Sequence, residues 1–265
     1  MDKLQEIVAN KRTEVEERKS LYPVKLLEKS IYFNTPCVSF KKYLTREDKS
    51  GIIAEIKRSS PSKGIINKHI KVEEVSIGYM QAGASGLSVL TDTKFFGGKN
   101  EDLTTARKFN YCPILRKDFT IDAYQIYEAK SIGADAILLI AAVLSKTEIT
   151  EFTALAHKLG MEVIFEVHEA EELEKLIPEI DIMGVNNRSL KTMQTDYKNS
   201  LALVNKIPKQ FIKISESGIS KPKTLAELRN AGFKGFLIGE YFMQHSSPHK
   251  ACEQFILNVE KLKVA

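Results

Sequence analysis

Short apolar runs alternate with amphipathic stretches along this chain from Gly51 onward. Brief runs rich in isoleucine, valine and leucine are typical of buried parallel strands, and apolar residues at helical spacing between them indicate helices. The pattern predicts strands at Ile52–Lys57, Gly86–Leu90, Pro113–Lys117, Ala136–Ile140, Glu162–Glu166, Ile180–Asn186, Phe211–Glu216 and Gly235–Gly239. It predicts helices near 72–82, 100–109, 122–132, 146–159, 169–177, 199–206, 221–230 and 249–262.

Glycines divide this pattern, because each of four follows a helical stretch and precedes an apolar run. They are Gly83, Gly133, Gly160 and Gly232. Glycine tolerates the left-handed conformation that closes a helix. The best-defined helix, 146–159, starts with Ser145 and Glu148 at capping-box spacing. Repeated strand–helix units predict a parallel sheet with right-handed crossovers.

The number of units predicts an α/β fold of the closed (β/α)8 type, a TIM barrel, over about 215 residues. An open doubly wound sheet is the alternative, but no GxGxxG follows the first strand. Before Gly51, Leu4, Ile7, Val8 and Val15 lie on one helical face, with charged residues expected elsewhere. A short helix is expected at 24–27. We therefore expect one domain, in which residues 1–50 form a helical extension of a barrel at 51–265.

Composition and charge narrow the class of protein. Hydrophobic residues make up 43% and charged residues 28%, an ordinary balance for a globular protein. The net charge of +5 is spread along the chain without a basic block, which argues against nucleic acid as a partner. The three cysteines, Cys37, Cys112 and Cys252, form no CxxC pair. The first twelve residues lack an apolar signal core, and the longest apolar run, 136–144, is short of the ~20 residues that span a bilayer. A cytoplasmic protein without a membrane partner is expected.

Charged and amide side chains end several of the predicted strands. Glu55 and Lys57 are two residues apart, so they share one face of the first strand. Other strands end in Lys117, Glu166, Asn186 and Glu216. Because barrel active sites lie at the carboxyl ends of the strands, and buried charges are costly unless paired or used, this set predicts an active site.

A phosphate site is the second functional signal. Ser217 and Gly218 follow the seventh predicted strand, and Gly239 and Glu240 follow the eighth. Phosphate sites in barrels are often built from these two loops, where small residues let backbone N–H groups approach the anion. No metal site is expected, since His245 and His249 flank Pro248 and have no third ligand nearby.

Six segments of the chain resemble motifs of the indole-3-glycerol-phosphate synthase family. They are Glu55–Ser62, Leu115–Phe119, Ile164–Val167, Gly184–Leu190, Ser215–Ser220 and Phe236–Glu240. The resemblance spans the chain, including the helical extension. It departs from some members at Glu240, where they carry a small hydroxyl residue, and in lacking a tryptophan in the first helix. The Glu240 side chain is expected to point away from a bound phosphate, because like charges repel.

The resemblance implies an enzyme that closes, decarboxylates and dehydrates 1-(2-carboxyphenylamino)-1-deoxyribulose 5-phosphate without a cofactor. By resemblance, Lys117 is the general acid and Glu166 the base, and Lys57 is a second donor or an electrostatic partner. Glu55, Glu216 and Asn186 would hold the sugar and the lysines. Substrate binding would fall to Ser60 and the phosphate loops, to Arg188 for the anthranilate carboxylate, and to Phe96 and Phe119, which could sandwich the aromatic ring. A monomer is expected, with association with other tryptophan-pathway enzymes left open.

Three alternatives remain at this point. A phosphoribosylanthranilate isomerase-like barrel has a similar phosphate site but uses a cysteine and an aspartate. An aldolase-type barrel would form a Schiff base at Lys117 or Lys57. A noncatalytic binding module would have no use for six polar groups at strand ends.

Overall fold

The computed structural model describes residues 3–189 and 192–264, with the side chains of 263 and 264 excepted. Leu190, the last residue of the sixth motif, lies outside this part. Eight parallel strands form a closed barrel, in which β1 pairs with both β2 and β8. The strands are β1 Ile52–Ile56, β2 Gly86–Leu90, β3 Ile114–Lys117, β4 Ala136–Ile140, β5 Glu162–Val167, β6 Ile182–Asn186, β7 Ile212–Glu216 and β8 Gly235–Ile238. The predicted closed barrel is confirmed, and the open sheet is excluded.

Helices alternate with the barrel strands. They are α1 Lys3–Leu21, α2 Val24–Leu27, α3 Phe40–Leu44, α4 Val72–Gln81, α5 Thr93–Phe96, α6 Asn100–Phe109, α7 Ala123–Ser131, α8 Lys146–Lys158, α9 Lys198–Leu203, α10 Pro222–Asn230, α11 Glu240–Met243 and α12 Pro248–Val264. The predicted capping box at Ser145 and Glu148 is present. The four helix-closing glycines all have positive φ, as the sequence predicts.

Several local predictions were wrong in type or extent. The stretch predicted as a helix at 169–177 is a 3-10 helix at Ala170–Lys175. The helices α3, α5 and α11 were not predicted, nor was a hairpin of Ser59–Ser60 with Gly64–Ile65. Segments of four or five residues carry too few positions for a period to show.

Alternation along each strand separates two apolar layers. Ile52, Ala54 and Ile56 face the surrounding helices, whereas Ile53 belongs to the cluster that fills the barrel. Phe40 and Leu44 of α3 join the inner cluster, and Phe40 is fully buried, which contributes roughly 1.5–3 kcal/mol relative to an exposed side chain. The inner layer thereby supports the residues that stand two positions later on each strand.

That next inward layer is charged. Ile53, Leu115, Ile164 and Ile214 precede Glu55, Lys117, Glu166 and Glu216 by two residues each. Since side chains alternate along a strand, the four charged residues point into the same end of the barrel. The apolar floor beneath them excludes water from one side of that end.

Candidate active site

A cavity of about 270 Å³ opens at the carboxyl end of the barrel. Its lining includes every residue that the sequence analysis placed in the site: Glu55, Lys57, Ser60, Phe96, Lys117, Phe119, Glu166, Asn186, Arg188, Glu216, Ser217, Gly218, Gly239 and Glu240. Leu138, Ile140 and Leu237 form its apolar floor. The structure therefore places all of these residues around the same cavity.

The Lys117 ammonium is held by carboxylates from two other strands. Its Nζ lies 2.8 Å from Glu166 Oε2 and 3.3 Å from Glu216 Oε2. Asn186 adds a side-chain hydrogen bond to Glu166, and His168 Nε2 lies 3.4 Å from Glu166 Oε1. These contacts orient both charges toward the cavity. The sequence analysis did not identify His168 as a neighbour of Glu166, because a single histidine after a strand carries no distinctive signal.

The pKa values of Glu166 and Glu216 are shifted in opposite directions. Burial would raise the pKa of Glu166, but the charges of Lys117 and His168 outweigh it and lower that pKa to about 2. Burial raises the pKa of Glu216 to about 8 against the charge of Lys117, and the nearby Glu166 carboxylate adds to the rise. Near neutral pH, one carboxylate, one carboxyl and one ammonium share the site. Although burial opposes it, the paired carboxylates raise the pKa of Lys117 above its usual 10.5.

A second ion pair lies on β1 and the residue that follows it. Lys57 Nζ lies 2.8 Å from Glu55 Oε1, and Ser88 Oγ on β2 lies 3.4 Å from Glu55 Oε2. This matches the expectation that Glu55 and Lys57 share one strand face. The ammonium groups of Lys57 and Lys117 are thus each held by a carboxylate from the barrel wall.

Two glycines make room for the glutamates. A Cβ at Gly184 would lie 2.4 Å from Glu216 Oε1, and a Cβ at Gly239 would lie 2.4 Å from Glu55 Oε1. Gly184 was missed as a functional position, although it lies within the sixth motif. Any side chain there would displace a carboxyl group of the site.

The loops after β7 and β8 have the backbone features of a close-contact site. Ser217 has φ 69° and Gly218 has φ 74°, and a left-handed serine is an uncommon, strained conformation that tends to occur at functional sites. A Cβ at Gly218 would lie 2.5 Å from Thr195 Cγ2. Glycine is therefore required at 218 by both conformation and space.

Glu240 and Arg188 contact each other beside these loops. Arg188 Nη2 donates to Glu240 Oε2 at 3.2 Å, and its Nη1 donates to Ser62 Oγ at 3.0 Å. Lys63 Nζ lies 3.9 Å from the other Glu240 oxygen. The Glu240 carboxylate is thus drawn to two cations, while Ser60 lies buried in the cavity wall nearby.

The aromatic side of the cavity differs from the expected sandwich. The Phe96 and Phe119 ring centroids are 6.2 Å apart and tilted by 38°, a direct aromatic contact. A ring stacked between them would need about 7 Å, twice an ordinary carbon–carbon contact. Lys3, Leu4 and Ile7 of α1 also line the cavity, which the sequence analysis did not predict. Leu4 and Ile7 add apolar surface to the cavity wall beside the two rings.

Within 3–189 and 192–264, no group of three or more histidine, cysteine or acidic side chains is arranged to hold a metal ion. No helix in that part of the chain is long and apolar enough to cross a membrane.

Comparisons with known proteins agree on one family. The family model for indole-3-glycerol phosphate synthase matches residues 4–255. A relative of that name from Bacteroides thetaiotaomicron is 48% identical over 259 residues, covering 98% of this chain and 99% of its own. Another from Prochlorococcus marinus is 42% identical over 264 residues, covering 97% and 90%.

Comparison with solved structures supports the fold. The thiamine phosphate pyrophosphorylase of Pyrococcus furiosus superposes with a TM-score of 0.59 at 14% identity, covering 84% of this chain and 99% of that one. A likeness at that identity concerns the barrel alone.

Proposed function

Because this chain belongs to the indole-3-glycerol phosphate synthase family, we propose that Lys117 and Glu166 are the acid and base of its reaction. The enzyme is a carboxy-lyase of tryptophan biosynthesis, which closes, decarboxylates and dehydrates 1-(2-carboxyphenylamino)-1-deoxyribulose 5-phosphate. The observation that carries the proposal is the Lys117 ammonium held 2.8 Å from Glu166 inside the cavity.

Lys117 acts on the ketone that the aromatic ring carbon attacks. A new C–C bond forms as the carbonyl oxygen gains negative charge, and an ammonium at that oxygen stabilises the charge and supplies a proton. Holding the ammonium between Glu166 and Glu216 fixes its position before the substrate arrives. Loss of CO₂ then restores the aromatic ring.

Dehydration needs an acid for the departing hydroxyl and a base for a proton. Glu166 supplies the base, since Lys117 keeps its carboxylate ionised. Lys57 supplies a second proton or stabilises charge beside the leaving oxygen, while Glu55 holds it in place. Glu216, neutral at moderate pH, and Asn186 supply hydrogen bonds that hold the sugar hydroxyls and the Lys117–Glu166 pair.

The phosphate and the anthranilate ring of the substrate fit different parts of the cavity. The phosphate binds at Ser60 and at the loops of Ser217–Gly218 and Gly239–Glu240. The anthranilate ring lies against the paired Phe96 and Phe119 rings, with Leu4 and Ile7 of α1 completing the wall. Arg188 binds the anthranilate carboxylate after releasing Glu240.

The direct test is to incubate the purified protein with the carboxyphenylamino sugar phosphate and follow indole fluorescence. Steady product formation is expected without any added metal or coenzyme. Turnover of phosphoribosylanthranilate instead, or loss of activity through borohydride trapping with substrate, would favour the isomerase-like or the Schiff-base mechanism.

We further propose that the enzyme works as a monomer in the cytoplasm. Cys37, Cys112 and Cys252 are all free thiols, which suits a reducing compartment. A single helical extension attached to one barrel, with the boundary near residue 50, supplies all the cavity residues named above. Sedimentation of the purified chain tests the oligomeric state.

A further inference from the structure

The first helix buries a lysine against the barrel. In α1, Ile7, Lys11 and Val15 follow one another at four-residue spacing and form its buried stripe. Lys11 is 1% exposed, although lysine is almost never fully buried without partners. The sequence analysis expected the charged residues of this helix away from the apolar face, and at Lys11 that expectation was wrong.

Three carboxylates surround the Lys11 ammonium. Its Nζ lies 2.8 Å from Glu14 Oε2 in the same helix, 3.0 Å from Asp92 Oδ2 and 2.9 Å from Asp118 Oδ1. Asp92 is fully buried, and among the described residues its Oδ2 has no hydrogen bond besides this charge contact. Lys11 therefore supplies the polar contact of this buried Asp92 oxygen, which would otherwise be costly to keep away from water.

Each aspartate organises a loop of the active site. Asp92 Oδ1 accepts from the Phe95 N–H at 2.8 Å and so caps α5, the helix that carries Phe96. Asp118 directly follows Lys117, and its Oδ1 accepts from the Phe119 N–H at 2.8 Å. One ammonium thus joins the loops that present both aromatic rings.

Asp118 also contacts Thr91, the residue that follows β2. Asp118 Oδ2 accepts from Thr91 Oγ1 at 2.6 Å, and Arg116 lies 3.5 Å from the same oxygen. Burial would raise the pKa of Asp118, but Lys11 and Arg116 lower it to about 2, so the carboxylate stays charged. The loops after β2 and β3 are therefore connected through a buried cluster, in which the Lys11 ammonium contacts both aspartates.

We propose that Lys11 is a positioning residue for the reaction, which sets the distance between Phe96 and Phe119 and fixes the chain segment next to Lys117 by holding Asp92 and Asp118 together. The ammonium touches neither substrate nor reacting atoms; it acts through the two loops. The proposal rests on the function proposed above, since it assumes that those rings and Lys117 handle the anthranilate half of the substrate.

Lys11→Met keeps most of the side-chain volume and removes the charge. We expect kcat/KM to fall at least about tenfold, because small displacements of substrate-positioning groups are costly in rate. The inhibition constant of inorganic phosphate, which competes at the loops after β7 and β8, should stay within about twofold. General destabilisation of the fold would not lower kcat/KM while leaving the inhibition constant of phosphate unchanged.

Lys19→Met is the matched control. Lys19 lies on the same helix and its Nζ is 2.7 Å from Asp122 Oδ2, so it also ties α1 to the barrel, but at the start of α7 rather than at Asp92 or Asp118. Its kcat/KM should stay within about twofold of wild type. An equal loss of kcat/KM in the two variants would overturn the proposal and assign Lys11 a general anchoring role.

Asp92→Asn tests the same link if Lys11→Met fails to fold, because the asparagine can still cap α5. It should show the same separation between kcat/KM and phosphate inhibition. In the double variant, the loss should be no greater than in Lys11→Met alone, since both changes break one link. Losses that multiply would contradict the proposal.

Inactivity of the wild type would reject the proposed function. An active wild type with unaffected Lys11 and Asp92 variants would reject only the positioning role.

Discussion

Glu216 Oε2 lies 3.3 Å from Lys117 Nζ, and the Glu216 carboxyl group is buried in the barrel wall. Yet neither Glu216 oxygen has a well-formed hydrogen bond from a donor among the described residues. A proton on Glu216 resolves this, because it allows a hydrogen bond from the carboxyl group to the Glu166 carboxylate. The site is then arranged around one anionic carboxylate for the Lys117 cation.

This arrangement predicts how stability changes with pH. The pKa of Glu216 is raised from 4.5 to about 8, so the folded protein keeps a proton that the unfolded chain releases between those values. The stabilisation from this group is complete below pH 4.5 and is lost as the pH rises through 8. Relative to Glu216→Gln, which stays neutral, the wild type should lose free energy of unfolding between pH 5 and pH 9, measured by urea denaturation. A difference that stays constant or grows with pH would contradict the assignment.

Gly184 gives a steric prediction. An alanine Cβ would come 2.4 Å from Glu216 Oε1, so Gly184→Ala should push the carboxyl group from its place and lower kcat by about tenfold or more. Val185→Ala, on the helix-facing side of the same strand, is the control, since it should lower the melting temperature and leave kcat nearly unchanged. Normal turnover in Gly184→Ala would show that the Glu216 position does not matter.

Glu240 gives a prediction about affinity. Its carboxylate contacts Arg188 at 3.2 Å, beside the loops at which the phosphate is proposed to bind. Glu240→Ser removes a like charge and frees Arg188 for the anthranilate carboxylate, so KM and the inhibition constant of phosphate should both fall by about two- to fivefold. Raising the salt concentration should reduce the difference from wild type. A weaker affinity would show that Glu240 supports the phosphate loops.

The barrel could be predicted from sequence because its signals are local. Each strand is a short apolar run, glycines such as Gly133 end the helices, and Glu55 and Lys57 reveal their shared face by spacing alone. The motifs at the strand ends identified the cavity for the same reason, since the carboxyl ends of parallel strands must meet.

What the sequence could not reveal depends on distant partners. Lys11 stands at the spacing of the apolar stripe, but lysine is a residue type that usually lies in solvent. Its burial depends on Asp92 and Asp118, which lie far along the chain. Gly184 does not lie in a turn that would require glycine. It is required because the Glu216 carboxyl group on the neighbouring strand leaves no room for a side chain. The aromatic sandwich was expected from residue type alone. The distance between the Phe96 and Phe119 rings depends on two loops that Lys11 of α1 joins.

The central claim, that Lys117 and Glu166 form the acid–base pair, is tested most directly by kcat in the fluorescence assay. Lys117→Ala and Glu166→Gln should each lower kcat by ~10²-fold or more while the circular dichroism spectrum stays native. Glu162→Gln, at the opposite end of the strand that carries Glu166, should keep a kcat close to wild type. Near-normal kcat in both Lys117→Ala and Glu166→Gln would contradict the account.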